Sequence, residues 1–316
     1  MWNFDEEINR ENSNSIKYDW REKVFGRSDL IPMWVADMDF RTPSFVIDAI
    51  TGRLKHEILG YSFRPEPYFE ALIKWIGVRH GWVLRRDWIE FSPGVVPALN
   101  ICTLAYTDHD SEIIIQPPVY TPFHGAVKDH GRRLLYNSLL ETPDGWVMDF
   151  DGLEKMITPA TRMIIISNPH NPVGRVWRRA ELERLVDICF EKRIIILSDE
   201  IHSDLILHGN RHIPVASLSE KAASITVTCM APSKTFNLAG LSTSSMIIPD
   251  ATLREKYRNV LEGLHLHLGN IFGNVASEAA YTHGHEWLND LLVYIQGNVD
   301  RVVSYCSEHV PVIKPV

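Results

Sequence analysis

Short apolar runs that do not alternate with polar residues recur along this 316-residue chain, and they restrict its fold more than any other feature. Ile113-Ile114-Ile115 and Met163-Ile164-Ile165-Ile166 set bulky side chains at consecutive positions. Successive side chains of a strand point to opposite faces, so a strand of this composition must bury both. A mostly parallel sheet with helices on each side meets that condition. Strands are predicted at 112–115, 162–167, 194–198, 225–230 and 244–248. Between two of them, Leu182, Leu185, Val186, Cys189 and Phe190 recur at helical spacing and form one apolar stripe. The expected class is therefore α/β.

In an open sheet of this kind, ligands bind beyond the carboxyl ends of the strands. Three polar segments stand at such ends. Ser198-Asp199-Glu200-Ile201-His202 follows one strand, Asn168-Pro169-His170-Asn171-Pro172-Val173-Gly174 another, and Ala231-Pro232-Ser233-Lys234-Thr235-Phe236-Asn237-Leu238-Ala239-Gly240-Leu241 a third. A lysine and an aspartate leaving separate buried strands can face each other across one cleft. An amine for an aldehyde carbon and a carboxylate for a ring nitrogen are what pyridoxal phosphate requires.

These three segments, in this order, resemble the fold-type I pyridoxal-phosphate (PLP) enzymes of the class I/II aminotransferase family. Ile31-Pro32-Met33-Trp34-Val35-Ala36-Asp37-Met38-Asp39-Phe40 is similar to the opening of the MalY/PatB-like branch, the cystathionine β-lyase type of carbon–sulfur lyase. The resemblance spans nearly the whole chain. It implies a three-layer, mostly parallel sheet with a second, smaller α+β domain. Residues 1–43 would form an N-terminal arm, 44–287 the large PLP-binding domain and 288–316 the start of the small one. Relatives continue past the equivalent of Val316 and carry there an arginine for the substrate carboxylate, a role that no residue of this sequence is assigned.

The resemblance also assigns roles. Lys234 would bond the cofactor aldehyde carbon and act as general base, and Asp199 would pair with the pyridine nitrogen. Asn171 and His202 would hydrogen-bond the ring 3-oxygen, and Tyr120 would stack on the ring. Ser92-Pro93-Gly94-Val95-Val96-Pro97 reads as a strand exit into a helix. The amides of Gly94, Val95 and Val96 would therefore meet the phosphate at a helix N-terminus, with Ser233 adding a hydroxyl. Pro97 is tolerated there, since first-turn amides lack helical partners. Tyr61 matches a residue given to the phosphate of a neighbouring subunit, which implies a homodimer. Ser242 departs from the aminotransferase pattern, standing where many members have a phosphate-binding arginine. Ala231 departs too, replacing a common serine.

The implied reaction is β-elimination from L-cystathionine or a related cysteine S-conjugate. An aminotransferase and a non-catalytic PLP-binding regulator are alternatives that the same lysine and aspartate would serve. A metal enzyme built on His265 and His267 is a weaker option, with no third ligand evident.

Composition bounds the rest. With 45% hydrophobic residues, the chain can bury a large core. A net charge of −8 and no Lys/Arg block give no sign of a nucleic-acid or membrane-surface partner. The acidic N-terminus lacks an apolar signal region and no stretch approaches a membrane span, so a cytoplasmic enzyme is expected. Four scattered cysteines without a CxxC pair read as reduced thiols, with Cys189 and Cys229 buried.

Overall fold

The computed structural model describes residues 2–143 and 145–313. Its strands are β1 (Ile89–Ser92), β2 (Glu112–Ile115), β3 (Arg133–Tyr136), β4 (Leu140–Thr142), β5 (Gly145–Val147), β6 (Thr161–Ser167), β7 (Ile195–Asp199), β8 (Thr226–Met230) and β9 (Ser244–Ile247). Seven of them form one sheet in the order β1-β9-β8-β7-β6-β2-β3, while β4 and β5 pair separately. Only β9 is reversed; it runs antiparallel to both β1 and β8, and the remaining pairs are parallel. The five expected strands all lie within one residue of their predicted ends. β3 and the β4–β5 hairpin were not expected. Each is three or four residues long with no fully buried side chain, so it carries little apolar signal.

The non-alternating runs divide as the two-faced reading requires. Ile113, Ile115, Met163, Ile165 and Leu197 pack with Leu99, Phe123 and Tyr257, from the helices Val95–Tyr106, Pro122–Lys128 and Ala251–Gly263. Ile114, Ile164, Ile166 and Ile196 face the other way, onto Leu182, Leu185, Val186 and Cys189 of the helix Arg179–Lys192. Each fully buried branched side chain contributes roughly 1.5–3 kcal/mol, so the middle layer is held from both sides. Phe190 corrects the predicted stripe. It is 44% exposed, and Ile188 is buried in its place, because the inward face of the helix is turned toward Ile188 and away from Phe190. Cys102, Cys189 and Cys229 are buried free thiols.

A third core gathers Trp75, Phe236, Tyr281 and Trp287 beside the sheet, from the helices Glu66–His80, Ile271–His283 and His285–His309 and the segment after Lys234. The last helix is 25 residues long and runs through the expected 287/288 boundary, with Trp287, Leu288 and Leu291 buried together. Among the described residues, no helix is long and apolar enough to cross a membrane.

The loops that leave β7 and β8 are tied by a buried carboxylate. Asp199 is the register partner of Cys229, and five residues further along the two chains stand Asp204 and Lys234. The hydroxyl of Thr235 donates to Asp204 Oδ2 at 3.0 Å. Trp75 Nε1 donates to both oxygens, at 3.2 and 3.1 Å, and His80 Nε2 lies 3.2 Å away. Burial alone would raise the Asp204 carboxyl, but His80, Arg79 and Thr235 outweigh it and hold it below the ordinary carboxylate range.

Asp204→Ala would leave a buried indole N–H, a hydroxyl and an imidazole without their acceptor. Loss of one partner from a buried charged cluster costs roughly 3–5 kcal/mol, which urea unfolding would read as a lower midpoint. A loss below about 1 kcal/mol, typical of an ordinary surface change, would show that the tie is dispensable.

Candidate active site

The sheet delivers its chemistry at the carboxyl ends of β6, β7 and β8. β7 ends on Asp199, whose side chain is 4% exposed. Among the described residues, its one hydrogen-bond donor is the Ile201 N–H at 3.2 Å. Burial pushes its carboxyl up to about 7; the nearby Glu200 charge adds to this, while Ile201 and the Lys234 charge oppose it. A buried carboxylate with so little compensation favours a cationic or N–H partner in the space before it.

Glu200, fully buried, fixes the turn. It accepts from Ser198 Oγ at 2.8 Å and the Val215 N–H at 3.0 Å, and pairs with His212 Nε2 at 2.8 Å. Asp204 anchors the far end of the same turn, so His202 stands between two buried carboxylates and Asp199 directly precedes the first. Burial and the Lys234 charge push the His202 imidazole down to about 4, so it is neutral near pH 7.

Lys234 follows β8 in a short helical turn, Pro232–Thr235. Burial lowers its amine below the usual lysine value, against the pull of the Asp37 and Asp199 carboxylates. Desolvation of this kind raises the neutral fraction, the form able to attack a carbonyl or take a proton.

The loop after β6 brings Asn171. It is tied to the loop after β2 through His170 Nε2 and the Pro118 carbonyl at 2.9 Å. That second loop carries Tyr120, whose phenol is raised by burial and then by the Asp199 charge. Gly94 caps the helix Val95–Tyr106 with φ of 137°, a backbone conformation that only glycine adopts without strain. The first-turn amides of Val95 and Val96 follow it, free of helical partners. A helix start of this length attracts an anion through those N–H groups and its dipole.

All of these line one cleft of about 810 Å3: Gly94, Val95, Val96, Tyr120, Asn171, Asp199, His202, Ser233 and Lys234. Met33, Trp34, Val35 and Ala36 line the same cavity. An acid, an amine and an anion-binding helix end on one cavity form a donor set that fits a flat heterocyclic aldehyde with a phosphate tail. Tyr61 lies outside it and is 98% exposed. Ser242 and Thr243 also line the cavity, at the end of the loop after Lys234. Among the described residues, no group of three His, Cys, Asp or Glu side chains is placed to hold a metal ion.

A model of the family described as aminotransferase class I and II matches residues 35–315. The chain belongs to that family. It is 44% identical to cystathionine beta-lyase PatB of Bacillus subtilis, over 99% of this chain and 81% of that protein. Among solved structures, cystalysin from Treponema denticola, which contains pyridoxal 5'-phosphate, superposes with a TM-score of 0.96 at 34% identity. That match covers 99% of this chain and 80% of the other. A PLP-bound C-S lyase from Staphylococcus hominis gives a TM-score of 0.91 at 34% identity, covering 98% and 78%.

Sequence reasoning passed over Asp204, Asn237 and Thr243. Asp204 could have been suspected from its offset from Asp199, which equals that of Lys234 from Cys229. Thr243 carries no pattern and is found only through the cavity.

A carboxyl titrating near 7 when folded but near 3.8 when unfolded binds its proton more tightly in the native state. Its contribution to stability is therefore greatest at low pH and falls as pH rises from about 4 to about 7, by up to about 4 kcal/mol. Ligand-free Asp199→Asn protein should be more stable than the parent at pH 8, with the gap closing below pH 4. Equal unfolding temperatures at pH 8 would contradict the buried-charge assignment.

Proposed function

We propose that this protein is a PLP-dependent carbon–sulfur β-lyase, acting on L-cystathionine or related cysteine S-conjugates to release a thiol, pyruvate and ammonia. The observation that carries the proposal is the presence of Lys234 and Asp199 on the lining of one cavity, in a chain whose relatives include cystathionine beta-lyase PatB and C-S lyase structures. When bound, the cofactor supplies an electron sink for negative charge at the substrate α-carbon.

The remaining work falls to the chain. Asp199 keeps the ring nitrogen protonated through a charge-assisted hydrogen bond. Asn171 donates to the ring 3-oxygen, and His202, neutral at working pH, shares that role. Tyr120 covers the ring face. The amides of Gly94, Val95 and Val96, with the Ser233 hydroxyl, hold the phosphate. Ser242 leaves that end without the arginine of aminotransferases, so backbone N–H groups carry more of the anion's charge. Lys234, its amine lowered by burial, takes the α-proton, after which the C–S bond breaks and the thiolate leaves. Water then completes hydrolysis to pyruvate and ammonia.

A homodimer fits the surface. The stretch before the helix Glu66–His80 exposes Ile58, Leu59, Tyr61 and Phe63, an apolar group suited to a second copy whose phosphate Tyr61 would reach. Residues 33–36 of the N-terminal arm line the cleft, and the arm together with the segment from residue 288 onward would make up the smaller domain. The cytoplasm is the matching compartment, where buried thiols stay reduced.

PLP-loaded protein given L-cystathionine should release pyruvate and thiol with no oxo acid present. Lys234→Ala should lower that rate at least ~100-fold, the scale of a lost general base. Amino-group transfer strictly dependent on 2-oxoglutarate would favour an aminotransferase. Bound cofactor with no turnover would favour a regulatory protein.

A further inference from the structure

The segment that follows the cavity-lining residues 33–36 is attached to the loop that carries Lys234 mainly through the side chain of Asn237. Asn237 stands three residues after the lysine, with left-handed backbone at φ of 60°. Its Oδ1 accepts the Met38 N–H at 3.0 Å, and its Nδ2 donates to the Met38 and Phe40 carbonyls, each at 3.0 Å. One amide thus reads the backbone of 38–40 as a neighbouring strand would, using three of the four hydrogen bonds an asparagine can make. Thr42 Oγ1 adds a longer bond to the Asn237 carbonyl at 3.4 Å.

The same segment is gripped from its outer side. The Arg10 guanidinium pairs with Asp37, and with Asp39 at 2.7 Å. Lys17 Nζ reaches the Asp37 carbonyl at 2.9 Å and Asp39 Oδ2 at 2.7 Å. Trp34 Nε1 donates to the Lys17 carbonyl at 3.1 Å. These bonds shape the arm internally, whereas the Asn237 bonds set where the shaped arm sits relative to Lys234. Residues 33–36, just ahead of the clamp, line the cavity that Lys234 also lines, and on the lyase reading they form a wall for the substrate.

We infer that Asn237 is a positioning residue, holding the 33–40 segment so that the substrate-facing wall and Lys234 keep one fixed spacing. The inference rests on reading the cleft as a lyase site. Residue type supports it. Aspartate offers no donor for the two carbonyls, and glycine allows the left-handed backbone but has no amide. Asparagine supplies both, and it tolerates this conformation better than most side chains. The arm has further attachments: Phe4 and Phe40 pack near Trp287 and Tyr294. Removing the amide should therefore release the wall without unfolding the protein. Because 33–36 face the substrate and the phosphate end lies elsewhere, the effect should fall on the substrate and spare the cofactor.

The test compares PLP-loaded Asn237→Gly and Asn237→Ala proteins with the parent. Glycine removes the amide but keeps the backbone unstrained, so it separates hydrogen bonding from conformation. Both variants should raise KM for L-cystathionine roughly tenfold, as expected for losing a net interaction of one to two hydrogen bonds. Their PLP dissociation constants should stay within about twofold of the parent. Amide hydrogen exchange of the loaded proteins should show lost protection confined to 33–40. Parent-like KM and exchange in Asn237→Gly would overturn the inference, since the asparagine would then serve only its own backbone. Equal losses of cofactor affinity and substrate affinity would overturn it too, by marking a general structural role. A parent protein that releases no pyruvate would contradict the lyase reading, and exchange at 33–40 would still decide whether the clamp exists.

Discussion

The structure depends on keeping the charge of Asp199 out of water at the end of a parallel strand. Burial of an ionised carboxylate with one backbone donor is unfavourable, and the upward push on its titration expresses that. On the proposed reading, a positive ring nitrogen would supply the partner that this carboxylate lacks. Lys234, on the adjoining strand's exit, is the complementary case: burial works against its charge and lowers its amine below the usual lysine value. Both groups are disfavoured in isolation by the same dryness. That is the condition under which a cofactor carrying an aldehyde at one end and a basic nitrogen at the other is held by the protein.

Strain of this kind persists only where the surroundings over-determine it. Glu200 and Asp204 pin the turn that carries Asp199 and His202, each through buried donors from other parts of the fold. Thr235 transmits the Asp204 anchor to the residue beside the lysine. Phe236, fully buried among Trp75, Tyr281 and Trp287, seats the same loop in the third core. The segments that carry Asp199, His202 and Lys234 are thus held in place by buried carboxylates and aromatic rings.

The sheet was legible because its central strands bury both faces, and a run such as Met163 to Ile166 places bulky apolar side chains on each of them. Edge strands such as β3 were not, because half-exposed residues between arginine and tyrosine carry no period. Phe190 shows the limit of helical spacing, which gives a stripe but not which of its flanks turns inward. In the site, the residues at strand ends were legible from motif and position together, and the cavity gathers them. Asn237 was in plain view within the motif, yet its partners lie almost 200 positions earlier, and no local pattern announces such a contact. Thr243 is similar: a hydroxyl reveals its place only when the chain closes around it.

The most direct test of the central claim is chemical trapping. Borohydride reduction of the PLP-loaded protein, followed by proteolysis and mass mapping, fixes the lysine joined to the cofactor. The account predicts a single pyridoxyl-phosphate mass addition on the peptide containing Lys234. An addition on another lysine, or none at all on protein that has bound the cofactor, would contradict it.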